Sequence, residues 1–146
     1  LLTDLFTRES HRMVQIARDT LAQIPPAEFV DDSIRAILEA LRPYGRTFFI
    51  IQYEYLLLAS REPARADVFA IESARLPEQI SSIITEVLDR LGRRSVIGPL
   101  QLAQLIISTY LTQLTREALG ADAEPGTDFI TDMLPTMLEY LSEPIN

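Results

Sequence analysis

The chain has 146 residues, 47% of them hydrophobic and 23% charged, with a net charge of −8. These proportions describe a globular fold of one-domain size and not a disordered segment. There is no cysteine and one histidine, His11, so disulfides, thiolate nucleophiles and most zinc or triad chemistry are excluded, and the acidic balance argues against a grip on a phosphate backbone. The longest apolar run, residues 48–59, is interrupted by Glu54 and falls short of the roughly 20 residues a bilayer requires, so no membrane partner is expected. Asp4, Arg8 and Glu9 break up the opening, which leaves no signal peptide and makes a cytoplasmic location the expectation. The first residue is Leu1 and already lies in helical register, as in a piece of a longer protein.

The pattern predicts five to six helices and no strand. The first spans residues 3–24, with Leu2, Leu5, Phe6, Met13, Ile16, Leu21 and Ile24 on one wide stripe, and Pro25-Pro26 ends it. A second, residues 27–41, carries Phe29, Val30, Ile34, Ile37, Leu38 and Leu41 and stops before Pro43. A third, residues 44–60, has apolar groups all round its axis, with Gln52, Tyr53 and Glu54 as polar interruptions, and a helix of that kind is expected to be buried. The fourth, residues 64–91, repeats Ile80, Ile83, Ile84, Val87, Leu88 and Leu91 at helical spacing, with a kink or break expected near Leu76 because of Pro77. Gly92 to Ser95 form a stop in which Arg90, Arg93 and Arg94 read as a helix-dipole complement and a solvated turn.

Residues 100–115, LQLAQLIISTYLTQLT, hold no charged side chain. At about 100° per residue, Leu100, Ala103, Ile107, Tyr110, Leu111, Leu114 and Ala118 fall on one stripe, and Leu102, Leu105 and Ile106 on another roughly opposite. One stripe can meet the chain's own core, and the other calls for a partner, most simply a second copy. The last helix is expected to start at Thr127 as N-cap, with Asp128 beside it, and presents Phe129, Met133 and Met137 among its apolar residues.

The run Glu54-Tyr-Leu-Leu-Leu-Ala59-Ser-Arg61-Glu62-Pro63-Ala-Arg65 resembles a stretch of the TetR family's regulatory domain, where a buried helix ending in Glu-x-x-x-x-Ala precedes Arg-Asp/Glu-Pro and a long helix. Pro99-Leu-Gln-Leu-Ala-Gln-Leu-Ile-Ile is similar to that family's penultimate helix, and Leu1-Leu-Thr-Asp-Leu-Phe6 to the connector out of its DNA-binding headpiece. The resemblance implies an all-α, TetR-like C-terminal regulatory domain of five to six antiparallel helices, one domain over residues 1–146. Residues 1–24 would be the connector, and the dimerisation helices, residues 99–141, would pair as a dimeric four-helix bundle. DNA would be reached only through a headpiece that this chain does not contain.

For a small apolar or aromatic effector, the candidate ligand-binding residues are Ser10, Met13, Phe49, Gln52, Tyr53, Leu56, Phe69 and Ser73. Gln52 and Tyr53 would orient the molecule, since buried polar groups need partners. Phe69 and Ser73 face either core or cavity, and Glu54 is expected to pair with an arginine. The candidate dimer interface is Leu100, Ala103, Ile107, Tyr110, Leu111, Leu114, Phe129, Met133 and Met137. No Glu-x-x-His pair, Gly-x-Ser-x-Gly elbow or glycine-rich phosphate loop is present, so neither catalysis nor a cofactor or metal is expected. The alternatives are a helical protein-interaction module without a small-molecule ligand and, further off, a helical-bundle enzyme.

Overall fold

The first helix, α1 (Leu2–Gln23), turns Phe6, Met13, Ala17 and Leu21 inward at i, i+7, i+11, i+15 spacing, and all four are buried. The computed structural model describes residues 2–25, 31–120 and 129–145. Beyond α1 these form α2 (Asp31–Arg61), α3 (Pro63–Arg90), β1 (Arg93–Ser95), α4 (Pro99–Ala118), α5 (Phe129–Tyr140) and β2 (Ser142–Pro144). The described chain is thus mostly helical, and no helix of it is long and apolar enough to cross a membrane. The start expected for the last helix at Thr127 and Asp128, like Phe29 and Val30, lies outside the described residues.

Pro43 does not end a helix, and Pro77 does not break one. The segments read as separate helices on either side of Pro43 are one, α2, and α3 runs uninterrupted through Pro77. A proline inside an isolated helix removes one hydrogen bond and crowds the carbonyl four residues back, at a cost of about 3 kcal/mol. Here the turns on both sides of each proline are anchored in one core: Ile37 and Phe48 flank Pro43, and Leu76 and Ile84 flank Pro77, all buried. Tertiary packing overrides the local cost.

The residues read as apolar on all sides of α2 are buried on one side only. Phe48, Ile51, Tyr55 and Ala59 point inward, whereas Ile50, Tyr53, Leu56 and Leu57 are exposed, Leu57 by 55%. Glu54 is exposed with them, and among the described residues it forms no ion pair. The inward side meets α1 and α3 through an aromatic cluster, with the Phe6 and Tyr55 rings 5.5 Å apart, Tyr55 and Phe69 4.9 Å apart, and the Thr3 hydroxyl 2.7 Å from that of Tyr55. Offset and tilted ring pairs at these separations add to the burial term.

The short antiparallel sheet overturns the expectation of no strand. Arg93 pairs with Pro144, Arg94 with Glu143 and Ser95 with Ser142, and the ladder extends through Ile145 N–H to Gly92 O and Val96 N–H to Leu141 O, both 2.9 Å. Strands of three residues are too short to show a period of two. Nor do Arg93 and Arg94 form a solvated turn. Arg93 donates to the Ser142 hydroxyl (2.7 Å) and to the carbonyls of Ser142 and Glu139, tying down the end of α5, and Arg94 pairs with Glu143 at 2.7 Å. Gly92, at φ +69°, supplies the left-handed residue that closes α3.

Arg90 complements a helix end, but that of α1. Its guanidinium donates to the carbonyls of Leu21 (2.8 Å) and Ile24 (3.1 Å) and to the Glu86 carboxylate (3.1 Å). Replacing Arg90 with Ala is expected to cost roughly 1.5–3 kcal/mol, the range for hydrogen bonds to a charged group. A lowered urea midpoint with an unchanged slope is the readout.

Candidate functional site

Between the helices lies a cavity of about 140 Å³ whose walls expose no polar surface. Its position follows from the apolar stripes: α1 contributes Met13 and Ala17, and α2 contributes Ile34, Ile37, Leu38, Leu41 and Phe48. The periodic stripe of α3 supplies Leu76, Ile80, Ile83, Ile84 and Val87. From α4 come Ile106, Ile107, Tyr110 and Leu111, and from α5 Leu134 and Leu138. All five helices therefore share this one space. An apolar void of roughly this size, lined by Leu, Ile and Phe, stays dry and accepts a molecule of about benzene's dimensions.

Tyr110 brings the cavity's one phenol. Its ring is seated against Gly45 of α2: a Cβ built on Gly45 would stand 2.2 Å from the Tyr110 hydroxyl oxygen and 3.2 Å from Cζ. Burial first, and the nearby Glu117 carboxylate second, push its pKa from 10 up to about 12, against the opposing pull of Arg42. The folded chain therefore holds a proton that the unfolded chain releases above about pH 10. The sign follows: this contribution to stability is complete below about pH 10 and is lost as pH rises to about 12. Tyr110→Phe is expected to remove that part of the alkaline loss, on the order of 2 kcal/mol, from a urea-unfolding series run across the interval.

The cavity takes up one of the eight residues proposed as ligand contacts, Met13. Ser10 is buried one turn away, and among the described residues its hydroxyl has no hydrogen-bond partner. Gln52 is half-buried, and its Oε1 is likewise without a partner among them. Phe69 belongs to the aromatic cluster, and the half-buried Ser73 spends its hydroxyl on the Ala70 carbonyl at 3.3 Å. Phe49 is half-buried with its ring 4.6 Å from that of Tyr53; Tyr53 and Leu56 are exposed by 41% and 44% and lie away from the cavity. Of the 44–60 segment, Phe48 alone lines this cavity. The wall is built instead from the 34–48 half of α2 and the periodic stripe of α3, whose regularity reads as plain core because a cavity lining and a filled core use the same side chains.

Most of the stripe of α4 proposed for the dimer is turned into the chain. Ala103 is fully buried, Leu114 is buried, and Ile107, Tyr110 and Leu111 line the cavity. Leu102 and Ile106 of the second stripe point into the chain as well, leaving Leu100 and Leu105 exposed by 43% and 42%. Two apolar stripes arise because α4 is wedged between α2, α3 and α5, so one copy covers most of both. On α5, Met133 is exposed by 43% and Met137 is half-buried; the Phe129 side chain lies outside the described residues. A feature without a sequence signal is Glu9, 6% exposed on α1, whose carboxylate stands 3.7 Å from Arg12 and 3.8 Å from Arg8. No protein-family model, curated protein or solved structure matches this chain.

Proposed function

We propose that this chain is the effector-sensing and homodimerisation domain of a TetR-like transcriptional regulator, acting in the cytoplasm and reaching DNA only through a headpiece outside the chain. The observation that carries this reading is the wholly apolar cavity shared by five helices, with Met13 and Ala17 of α1 in its wall. In the proposed scheme α1 is the connector, so a small apolar or aromatic molecule that prefers one placement of α1 biases the spacing of the two headpieces. Only differential affinity for the two placements moves that equilibrium. The partner copy is assigned to the outer faces of α4 and α5, where Leu100, Leu105 and Met133 are exposed by 42–43%, Met137 is partly exposed, and Gln104, Ser108 and Thr112 add no charge.

The test is thermal melting of the chain against small apolar and aromatic compounds, with light scattering at micromolar concentration. At a hundredfold excess over Kd a cavity ligand stabilises by about 2.7 kcal/mol, or roughly 5–10 °C for a chain of this size. A monomeric mass, together with no compound shifting the melt, defeats the proposal. The competing interaction-module reading draws support from the exposed Ile50, Tyr53 and Leu57 on α2. It expects no ligand shift, and loss of partner binding on Tyr53→Glu.

A further inference from the structure

We propose that the cavity selects against polarity: its occupant is a hydrocarbon of about one ring, without any hydrogen-bonding group, and a hydroxyl added to that ring lowers the affinity. This rests on reading the cavity as a ligand site. The walls expose no polar surface. A hydroxyl carried inside gives up its water and finds no replacement, and that loss is charged against binding.

Each source from which a polar partner could come is closed. Among the described lining residues only Tyr110 carries an O–H or N–H on its side chain, and that hydroxyl abuts Gly45, which is not part of the wall. The ring is rigid, so its oxygen reaches the void only if the whole ring leaves its seat. Met13 offers a thioether sulfur, which is a weak acceptor. The two buried side-chain oxygens without a partner among the described residues, Ser10 Oγ and Gln52 Oε1, belong to residues outside the wall. Backbone carbonyls of the lining helices are committed to N–H groups four residues on. Pro43 and Pro77 lack such an N–H, and the carbonyls they leave are those of Glu39 and Ser73, again outside the wall. A methyl group in the place of the hydroxyl meets leucine and isoleucine side chains instead and gains from burial. The two effects act in the same direction. An apolar pocket rejects an added hydroxyl by up to about a hundredfold. The site therefore tells a hydrocarbon from its own hydroxylated derivative by solvation, with no group that recognises either.

Phenol and toluene differ by an O–H in place of a methyl group and are otherwise nearly isosteric, which makes them the probes. Calorimetric titration of each into the wild-type chain is expected to give a phenol Kd roughly 10- to 100-fold above that of toluene. Ala17→Leu places three more carbons at the cavity wall and locates the binding, since a ligand held there loses its place while one adsorbed on the surface does not. A preference for toluene of tenfold or more, with toluene binding lost in Ala17→Leu, is the result expected. If phenol binds the wild-type chain within tenfold of toluene and both are lost in the variant, the wall answers a hydroxyl after all. The inference is then overturned while the cavity reading stands. If neither probe binds the wild-type chain, or toluene binds Ala17→Leu undiminished, both fall together.

Discussion

Replacing Ala17 with Leu is expected to raise the melting temperature of this chain and to abolish the proposed uptake of small apolar molecules. Ala17 is 3% exposed and stands in the cavity wall on α1. Three added carbons projecting into the void gain at most about 0.8 kcal/mol each, and imperfect fit reduces the sum. The net expected gain is about 1 kcal/mol, within the range of cavity-filling substitutions. Filling by that amount takes the place a ligand would occupy, so the melting shift with toluene should vanish. The reverse substitution, Leu138→Ala, deletes a buried wall residue from α5 and is expected to cost about 2–5 kcal/mol while admitting a larger ring. The pair separates cavity binding from adsorption at the surface, because only the first responds in opposite directions to filling and enlargement. If Ala17→Leu melts lower and still takes up toluene, the void is not where the ligand sits.

Gly45→Ala is expected to destabilise the chain, although helix propensity alone predicts the opposite. In the interior of a helix such as α2, Ala exceeds Gly by about 0.8–1.0 kcal/mol. The new Cβ, however, would land 2.2 Å from the Tyr110 hydroxyl oxygen. A tyrosine ring is rigid, so the oxygen can retreat only if the whole ring does, and Leu114 stands beside it at 3.5 Å from the same point. Overpacking of this kind costs about 1–3 kcal/mol, leaving a net loss of about 1 kcal/mol. Tyr110→Phe in the same chain removes the nearest atom and should restore most of the loss, giving a coupling between the two positions of at least about 0.5 kcal/mol. Because Tyr110 also lines the cavity, Gly45→Ala alone should weaken toluene binding. A single variant melting above the wild type would mean that α2 and α4 do not approach so closely in solution.

The helices themselves were legible in the residues. The stripes of Phe6, Met13 and Leu21, and of Ile83, Ile84, Val87 and Leu88, place α1 and α3 with the correct inner faces, because apolar spacing near 3.6 residues has one outcome when a core is available. Pro63 and Pro99 mark helix starts correctly, since a first-turn proline gives up an N–H that has no partner there in any case. Pro43 and Pro77 mislead for the same reason that those two inform. A proline's local effect is fixed, but whether it ends a helix depends on how firmly both flanks are anchored.

Composition and periodicity by themselves settled a mostly helical chain with a large apolar core, no cysteine chemistry and no helix long and apolar enough to cross a bilayer. Which of the two apolar stripes on α4 turns inward, which half of α2 walls the cavity, and the pairing of Arg93 and Arg94 with the last residues were decided by the tertiary structure. The physical reason is that hydrophobicity has magnitude and period but no address. A stripe states that something must cover it, and only the positions of the neighbouring helices say what does, or whether an empty volume is left between them. For hydrogen bonds the converse holds: Arg90 finds the end of α1 and Ser10 finds no partner among the described residues, although in the sequence both are simply polar residues on helices.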